Sequence, residues 1–170
     1  GSRDQGRAEA AIAELASSGL SAGFLRVDLE DWPGLAAAAE EIEVKHGRLD
    51  ILVNNAGIFD FADGAPGKAD LAAVRKVMDT NFLGTLAVTQ AFLPLLRKAA
   101  KARIVNLASS LGSLALNGDP SSPYYAIRFI GYNASKAALN MLTIQLHEEL
   151  RGTSIAVNSV SPGFVKTDLT

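Results

Sequence analysis

The chain has 170 residues, 48% of them apolar and 20% charged, and a net charge of −2. That length and composition suit one globular domain with a substantial core, and the charge offers no basic surplus for nucleic acid or a membrane surface. The absence of cysteine excludes disulfides, Cys-ligated metal clusters and a thiol nucleophile. Two histidines, His46 and His147, are too few for a His-rich metal site, so no metal is expected. No segment reads as a signal peptide. The longest mostly apolar stretch, residues 81–96, is interrupted by Thr85, Thr89, Gln90 and Pro94, too often for a membrane span. The expectation is a soluble, cytoplasmic protein with no membrane partner.

Helix-like and strand-like segments alternate along the chain. Residues 4–18 place Ala8, Ala11, Ile12 and Leu15 on one helical face, and Gly19 suits the stop. Residues 24–29 form a short apolar run containing Asp28, a strand candidate. Asp31 reads as an N-cap, Pro33 as a first-turn residue and Gly47 as the stop of a second helix. A strand at 51–53 runs into the turn Asn54-Asn55-Ala56-Gly57. Residues 70–99 read as one long helical stretch with a bend near Gly84. A third strand at 103–107 is followed by a Gly-, Pro-, Ser- and Asn-rich loop over 111–131. A strong helix at 132–150 and a fourth strand at 154–160, ending at Pro162-Gly163, complete the pattern.

Short strands separated by long helices predict βαβ units and a parallel sheet. In such a sheet a ligand lies beyond the carboxyl ends of the strands. That singles out Asp28, Asn54, Asn55, Ser109, Ser110 and residues 162–167. Tyr132 and Lys136 are four apart and share a helical face. A phenol titrates near pH 10, and a nearby ammonium favours the phenolate, so the pair is a candidate proton-transfer device. The plainer alternative is a solvated lysine beside a half-buried tyrosine. A hydroxyl of Ser109 or Ser110 could donate to a substrate carbonyl oxygen, or simply belong to a turn. Asn81, a mediocre helix former, either faces solvent or holds a water at a bend. A serine hydrolase is set aside for want of a nucleophile elbow.

Four strings decide between these readings by their order. Residues 45–57, ending Asn54-Asn55-Ala56-Gly57, residues 104–110, ending Ala108-Ser109-Ser110, the string Tyr132-Asn133-Ala134-Ser135-Lys136, and residues 157–167, with Pro162-Gly163-Phe164-Val165-Lys166-Thr167, occur in that sequence. Together they resemble the signatures of the short-chain dehydrogenase/reductase family, over essentially the whole chain. The resemblance implies an α/β fold, a Rossmann-like doubly wound parallel sheet with helices on both faces, as a single partial domain over 1–170. It implies hydride transfer between a nicotinamide cofactor and a small carbonyl or alcohol substrate. Tyr132 would be the general acid of reduction and Lys136 would lower its pKa and bind the ribose. Ser110 would hold the substrate oxygen, and Asn81 would anchor a water relaying protons to Lys136. Asn55, Ala56 and Gly57 would line the adenosine side, with Asn54 bracing the strand, and Asp28 would contact the adenine. Pro162, Gly163, Val165 and Thr167 would hold the nicotinamide.

In the family an acidic residue selects NAD(H) where this chain has Ser2, and Arg3 beside it suits a 2′-phosphate, so NADP(H) is the expected cofactor. The long segment 111–131 before Tyr132 resembles that of monomeric carbonyl reductases. It is expected to line the substrate site and to hinder oligomer contacts, which otherwise would run through the two long helices. The family's glycine-rich first turn and last strand have no counterpart in residues 1–170. The expected result is an incomplete sheet, with a gap of roughly 10 Å between the strands ending at Asp28 and Asn54, and weak cofactor binding by the chain alone. The rival expectation is a catalytically inactive fragment, or a dinucleotide-binding or interaction protein on the same fold.

Overall fold

The computed structural model describes residues 1–165. The helices are α1 (Gln5–Ser17), α2 (Trp32–His46), α3 (Leu71–Met78), α4 (Thr85–Leu96), the short α5 (Leu114–Gly118) and α6 (Ile130–Glu149). Three strands, β1 (Ile51–Asn54), β2 (Ala102–Leu107) and β3 (Ile155–Val160), form a parallel sheet in the order β1-β2-β3. Leu52 pairs with Ile104, which pairs with Val157, and Asn54 pairs with Asn106. Among the described residues, no helix is long and apolar enough to cross a membrane.

The caps follow the sequence. Asp4, Asp31 and Asp70 accept from Arg7, Gly34 and Ala72 backbone N–H groups at the starts of α1, α2 and α3, satisfying donors a helix start leaves unpaired. Gly47, at φ 71°, closes α2 in the left-handed region that glycine enters without a Cβ penalty. The long stretch predicted at 70–99 is broken by a π-helical turn, Asp79–Gly84, between α3 and α4. A Cβ on Gly84 would lie 2.7 Å from the Leu29 Cβ, so a glycine is needed where this turn passes the preceding segment.

Strand burial alternates, and the alternation assigns the layers. Ala102, Ile104, Asn106, Ile155 and Val157 are buried, as is Asn54. They face α2, α4 and α6, through one cluster built on Leu139, Leu142 and Leu146 and another on Leu35, Val88 and Phe92. Leu49 and Leu52 touch both clusters. The opposite face carries no packed helix among the described residues: α1 has no buried residue, and Ile51 and Val53 are 59% and 53% exposed.

The strand expected at 24–29 is reduced to a single parallel bridge, Ser2 with Arg26, outside the three-stranded sheet. Two hydrogen bonds hold it, from Ser2 N to Leu25 O and from Val27 N to Ser2 O, each 3.1 Å. A strand needs partners on its flanks to propagate, and only the two residues around Ser2 supply one. Within the expected loop at 111–131 the structure has the helical turn Ser110–Gly112 and α5.

A chain of buried side chains ties the covered face together. Asn54 Nδ2 donates to Asn106 Oδ1 (2.8 Å) and Thr89 Oγ1 (3.1 Å), and Asn106 Nδ2 donates to Thr143 Oγ1 (2.8 Å). Removing the middle member leaves buried donors and acceptors without partners. Asn106→Ala is therefore expected to lower the unfolding free energy by about 2–4 kcal/mol, measured by urea denaturation at unchanged m-value.

Candidate active site at the carboxyl edge of the sheet

The ends of β1 and β2 and the first turns of α6 converge on Tyr132 and Lys136. The glycine at 112 permits the approach: a Cβ there would lie 2.6 Å from the Lys136 carbonyl carbon. The turn after β2 thus lies flush on α6 at the level of Lys136. Lys136 is only 5% exposed, and its Nζ donates to the Leu107 carbonyl at 2.8 Å. Burial pulls its pKa down to about 8. The same Nζ sits 5.5 Å from the centre of the Tyr132 ring.

Burial pushes the Tyr132 phenol above its ordinary value, and a hydrogen bond with the Ser109 side chain draws it part of the way back. The expectation that Lys136 sets the phenol pKa is not what this state displays. The ammonium is turned to a backbone carbonyl and lies over the ring, so desolvation governs the phenol. Ser109, the first of the serine pair, is the one at the Tyr132 side chain. Ser110, expected to hold the substrate oxygen, is turned toward the end of β3. Its N–H donates to Ser161 Oγ at 3.1 Å, and the two hydroxyl oxygens are 3.3 Å apart.

Asn81 is buried in the π-helical turn. Its Oδ1 accepts from Ile58 N at 2.7 Å, and its Nδ2 donates to Ile58 O at 3.0 Å and to Ser135 Oγ at 3.1 Å. Ser135 in turn donates to the Tyr132 carbonyl at 2.8 Å. The Asn81 side chain, expected to anchor a water, instead fastens the segment after β1 to the helix of Tyr132. Gly57 completes the cluster, since a Cβ on it would sit 3.4 Å from Lys136 Nζ and 3.5 Å from Asn81 Oδ1. Phe59 stands edge-on to Tyr132 and to Phe129, at centroid distances of 5.8 Å and 4.6 Å.

The remaining expected residues lie apart from this cluster or at its rim. Asn55 and Ala56 are exposed at the end of β1, as are Pro162, Gly163 and Val165 beyond β3. Gly163 adopts φ 77° with open space around it. Thr167 lies outside the described residues. Arg3 and Asp28 flank the Ser2–Arg26 bridge; Arg3 is exposed and Asp28 half-buried, accepting from Glu30 N at 3.1 Å. The pattern Gly19-Leu20-Ser21-Ala22-Gly23 has nucleophile-elbow spacing, but it is exposed coil after α1, with no strand before it.

Two residues that the sequence reading passed over matter here. Ser135 holds the Tyr132 carbonyl, and buried Asp63, 3% exposed, accepts from Gly131 N and Tyr132 N at 2.9 Å and 2.8 Å. Ser135 sat in a quoted string. Asp63 had no local signal, being 69 residues from Tyr132.

A family model described as short chain dehydrogenase matches residues 1–170. Short-chain dehydrogenase anuI of Penicillium roqueforti is 37% identical over 171 residues, covering 98% of this chain and 67% of that protein. An NADPH-bound carbonyl reductase from chicken fatty liver superposes with a TM-score of 0.84 at 32% identity, covering 99% of this chain and 68% of that one. A gluconate 5-dehydrogenase from Burkholderia cenocepacia J2315, in complex with NADP and tartrate, gives 0.83 at 26% identity, covering 98% and 61%. The chain thus spans about two thirds of the length of the proteins it matches.

The depressed Lys136 pKa has a signed consequence for stability. Below about pH 8 the lysine is protonated in both states, and the folded state bears the full cost of burying the charge. Between that value and its ordinary 10.5 the unfolded chain binds more protons, so stability rises with pH. Relative to Lys136→Met, the unmodified protein is expected to gain on the order of 2–3 kcal/mol on going from neutral pH to above pH 10, measured by urea unfolding of both proteins.

Proposed function

The chain belongs to the short-chain dehydrogenase family, and we propose that it carries the catalytic residues of an NADP(H)-dependent oxidoreductase that reduces a ketone or aldehyde to an alcohol. The observation that carries this reading is the Tyr132 side chain, hydrogen-bonded by Ser109 and backed by Lys136, at the carboxyl edge of a parallel sheet. The residues present fit a dinucleotide. Gly57 leaves no side chain between the end of β1 and Lys136, and Gly163 opens the backbone beyond β3, so chain atoms leave room beyond the strand ends, where such ligands lie.

The bound nicotinamide would supply the hydride to the carbonyl carbon. Tyr132 then gives its phenolic proton to the carbonyl oxygen as the C=O bond becomes an alcohol. Ser109 hydrogen-bonds the same oxygen, the place where negative charge grows. Lys136, largely protonated at neutral pH with a pKa of about 8, stabilises the phenolate left on Tyr132. Ser110 holds the end of β3 in place through Ser161.

Two features support NADP(H) over NAD(H). Arg3 is exposed beside the Ser2 bridge, and Asp4 spends its carboxylate capping α1. An unpaired carboxylate there would repel a 2′-phosphate, whereas a guanidinium suits it. The two solved relatives named above hold NADPH and NADP.

Fluorescence titration should give tighter binding of NADPH than of NADH, with the preference reduced by Arg3→Ala; equal binding removes Arg3 from the reading. With an aldehyde and ketone panel, Tyr132→Phe should abolish turnover. Ser109→Ala should cost about 100-fold or more in kcat/KM, at least tenfold more than Ser110→Ala; the reverse ranking would restore Ser110 to the substrate oxygen.

A further inference from the structure

We propose that Asp63 is a positioning residue for Tyr132, its carboxylate clasping the first turn of α6 so that the phenol is held at its working angle and kept protonated. The inference rests on the reading of Tyr132 as the proton donor. An α-helix starts with backbone N–H groups that have no partner within the helix. α6 starts at Phe129, which offers no side-chain cap. The loop after β1 supplies the partners instead: Ile130 N donates to Gly64 O at 3.0 Å, Gly131 N to Asp63 Oδ1 at 2.9 Å, and Tyr132 N to Asp63 Oδ2 at 2.8 Å.

A serine or threonine cap has one oxygen to offer, whereas this carboxylate takes two consecutive N–H groups, one on each oxygen. The fit is close. A Cβ on Gly131 would meet Asp63 Oδ2 and the Val74 Cα, both at 3.0 Å. The loop is braced in turn by Asp63 N to Asp60 O (3.0 Å), by Asp70 N to Ala62 O (3.1 Å), and by the ion pair of Asp60 with Lys76 (2.9 Å). On its other side Tyr132 is held through its carbonyl by Ser135. Both backbone polar groups of one residue are thus fixed by side chains.

The charge has a separate effect. The N-terminus of α6 carries partial positive charge, which favours a phenolate on Tyr132. The Asp63 carboxylate opposes it and favours the neutral phenol that donates a proton. Of the other charged groups around this turn, Lys136 lies over the ring on α6, Lys76 of α3 is engaged by Asp60, and Arg75, Asp79 and Arg128 are exposed, Arg128 over the Tyr125 ring. Asp63 is the buried anion among them.

The test compares the unmodified protein with Asp63→Asn, Gly131→Ala and Tyr132→Phe, using NADPH and 4-nitrobenzaldehyde. Asp63→Asn should lose roughly 10- to 100-fold in kcat with the KM for NADPH little changed. Its Tyr132 phenol, followed by near-ultraviolet difference titration against Tyr132→Phe, should titrate roughly half a pH unit lower. Amide hydrogen exchange at Gly131 and Tyr132 should accelerate in the same variant. Gly131→Ala crowds the clasp without removing the charge, so it should lose kcat with no downward titration shift; it carries the test if Asp63→Asn does not fold. Unchanged kcat and an unchanged titration in Asp63→Asn overturn the proposal, as does wild-type kcat in Gly131→Ala. Turnover retained in Tyr132→Phe overturns instead the reading of Tyr132, whatever Asp63 does.

Discussion

The arrangement depends on a hydrogen-bonded line of amides and hydroxyls running across the covered face of the sheet. Asn54 of β1 and Asn106 of β2 are register partners, and each also bonds a threonine of the helix above it, Thr89 of α4 or Thr143 of α6. An apolar layer alone would let a helix slide along the strands at small cost. Polar groups with fixed partners do not permit this, because every displaced bond leaves a buried group unpaired. The carboxyl ends of the strands are therefore held at one level against α4 and α6. That level is where Gly57, Ser109 and Tyr132 have to meet.

Above that level the site is tuned by burial more than by charge pairing. Tyr132 is raised by desolvation and Lys136 is lowered by it. The two shifts move the phenol and the ammonium toward each other, so a proton passes between groups more evenly matched than in water. Ser109 offsets part of the rise on the phenol. The backbone of Tyr132 meanwhile is anchored from the loop after β1 and from within α6, so its orientation does not rely on the side-chain contacts alone.

Much of this was legible in the residues. The alternation of strands and helices, the caps at Asp4, Asp31 and Asp70, and the family motifs were local features, and the parallel sheet and its family follow from them. Three things were not legible. The choice between Ser109 and Ser110 depends on how the chain turns after β2, and adjacent serines look alike in a string. The segment at 24–29 has strand composition, but pairing needs a neighbour and finds it only at Ser2. Asp63 lies in a loop whose composition announces nothing; its place is set by the packing of that loop against α3 and α6, a contact between residues far apart in sequence. Asn81 lay between the two cases. Its position inside a helical stretch was conspicuous, yet its partners, Ile58 and Ser135, could be known only from the fold.

The π-helical turn between α3 and α4 also works as a phase adjuster. A helix that continued without it would present its buried stripe at 3.6 residues per turn from end to end. The wider turn resets that phase once, so that Val77 packs inward before it, Asn81 reaches the loop within it, and Thr85 and Thr89 are buried after it. One residue of an α-helix corresponds to a rotation of about 100°. Losing a single residue between 79 and 84 would leave α3 seated as it is and turn α4 by that angle, carrying Thr89 away from Asn54. The two halves of this helical stretch can therefore vary freely in composition, but not in length.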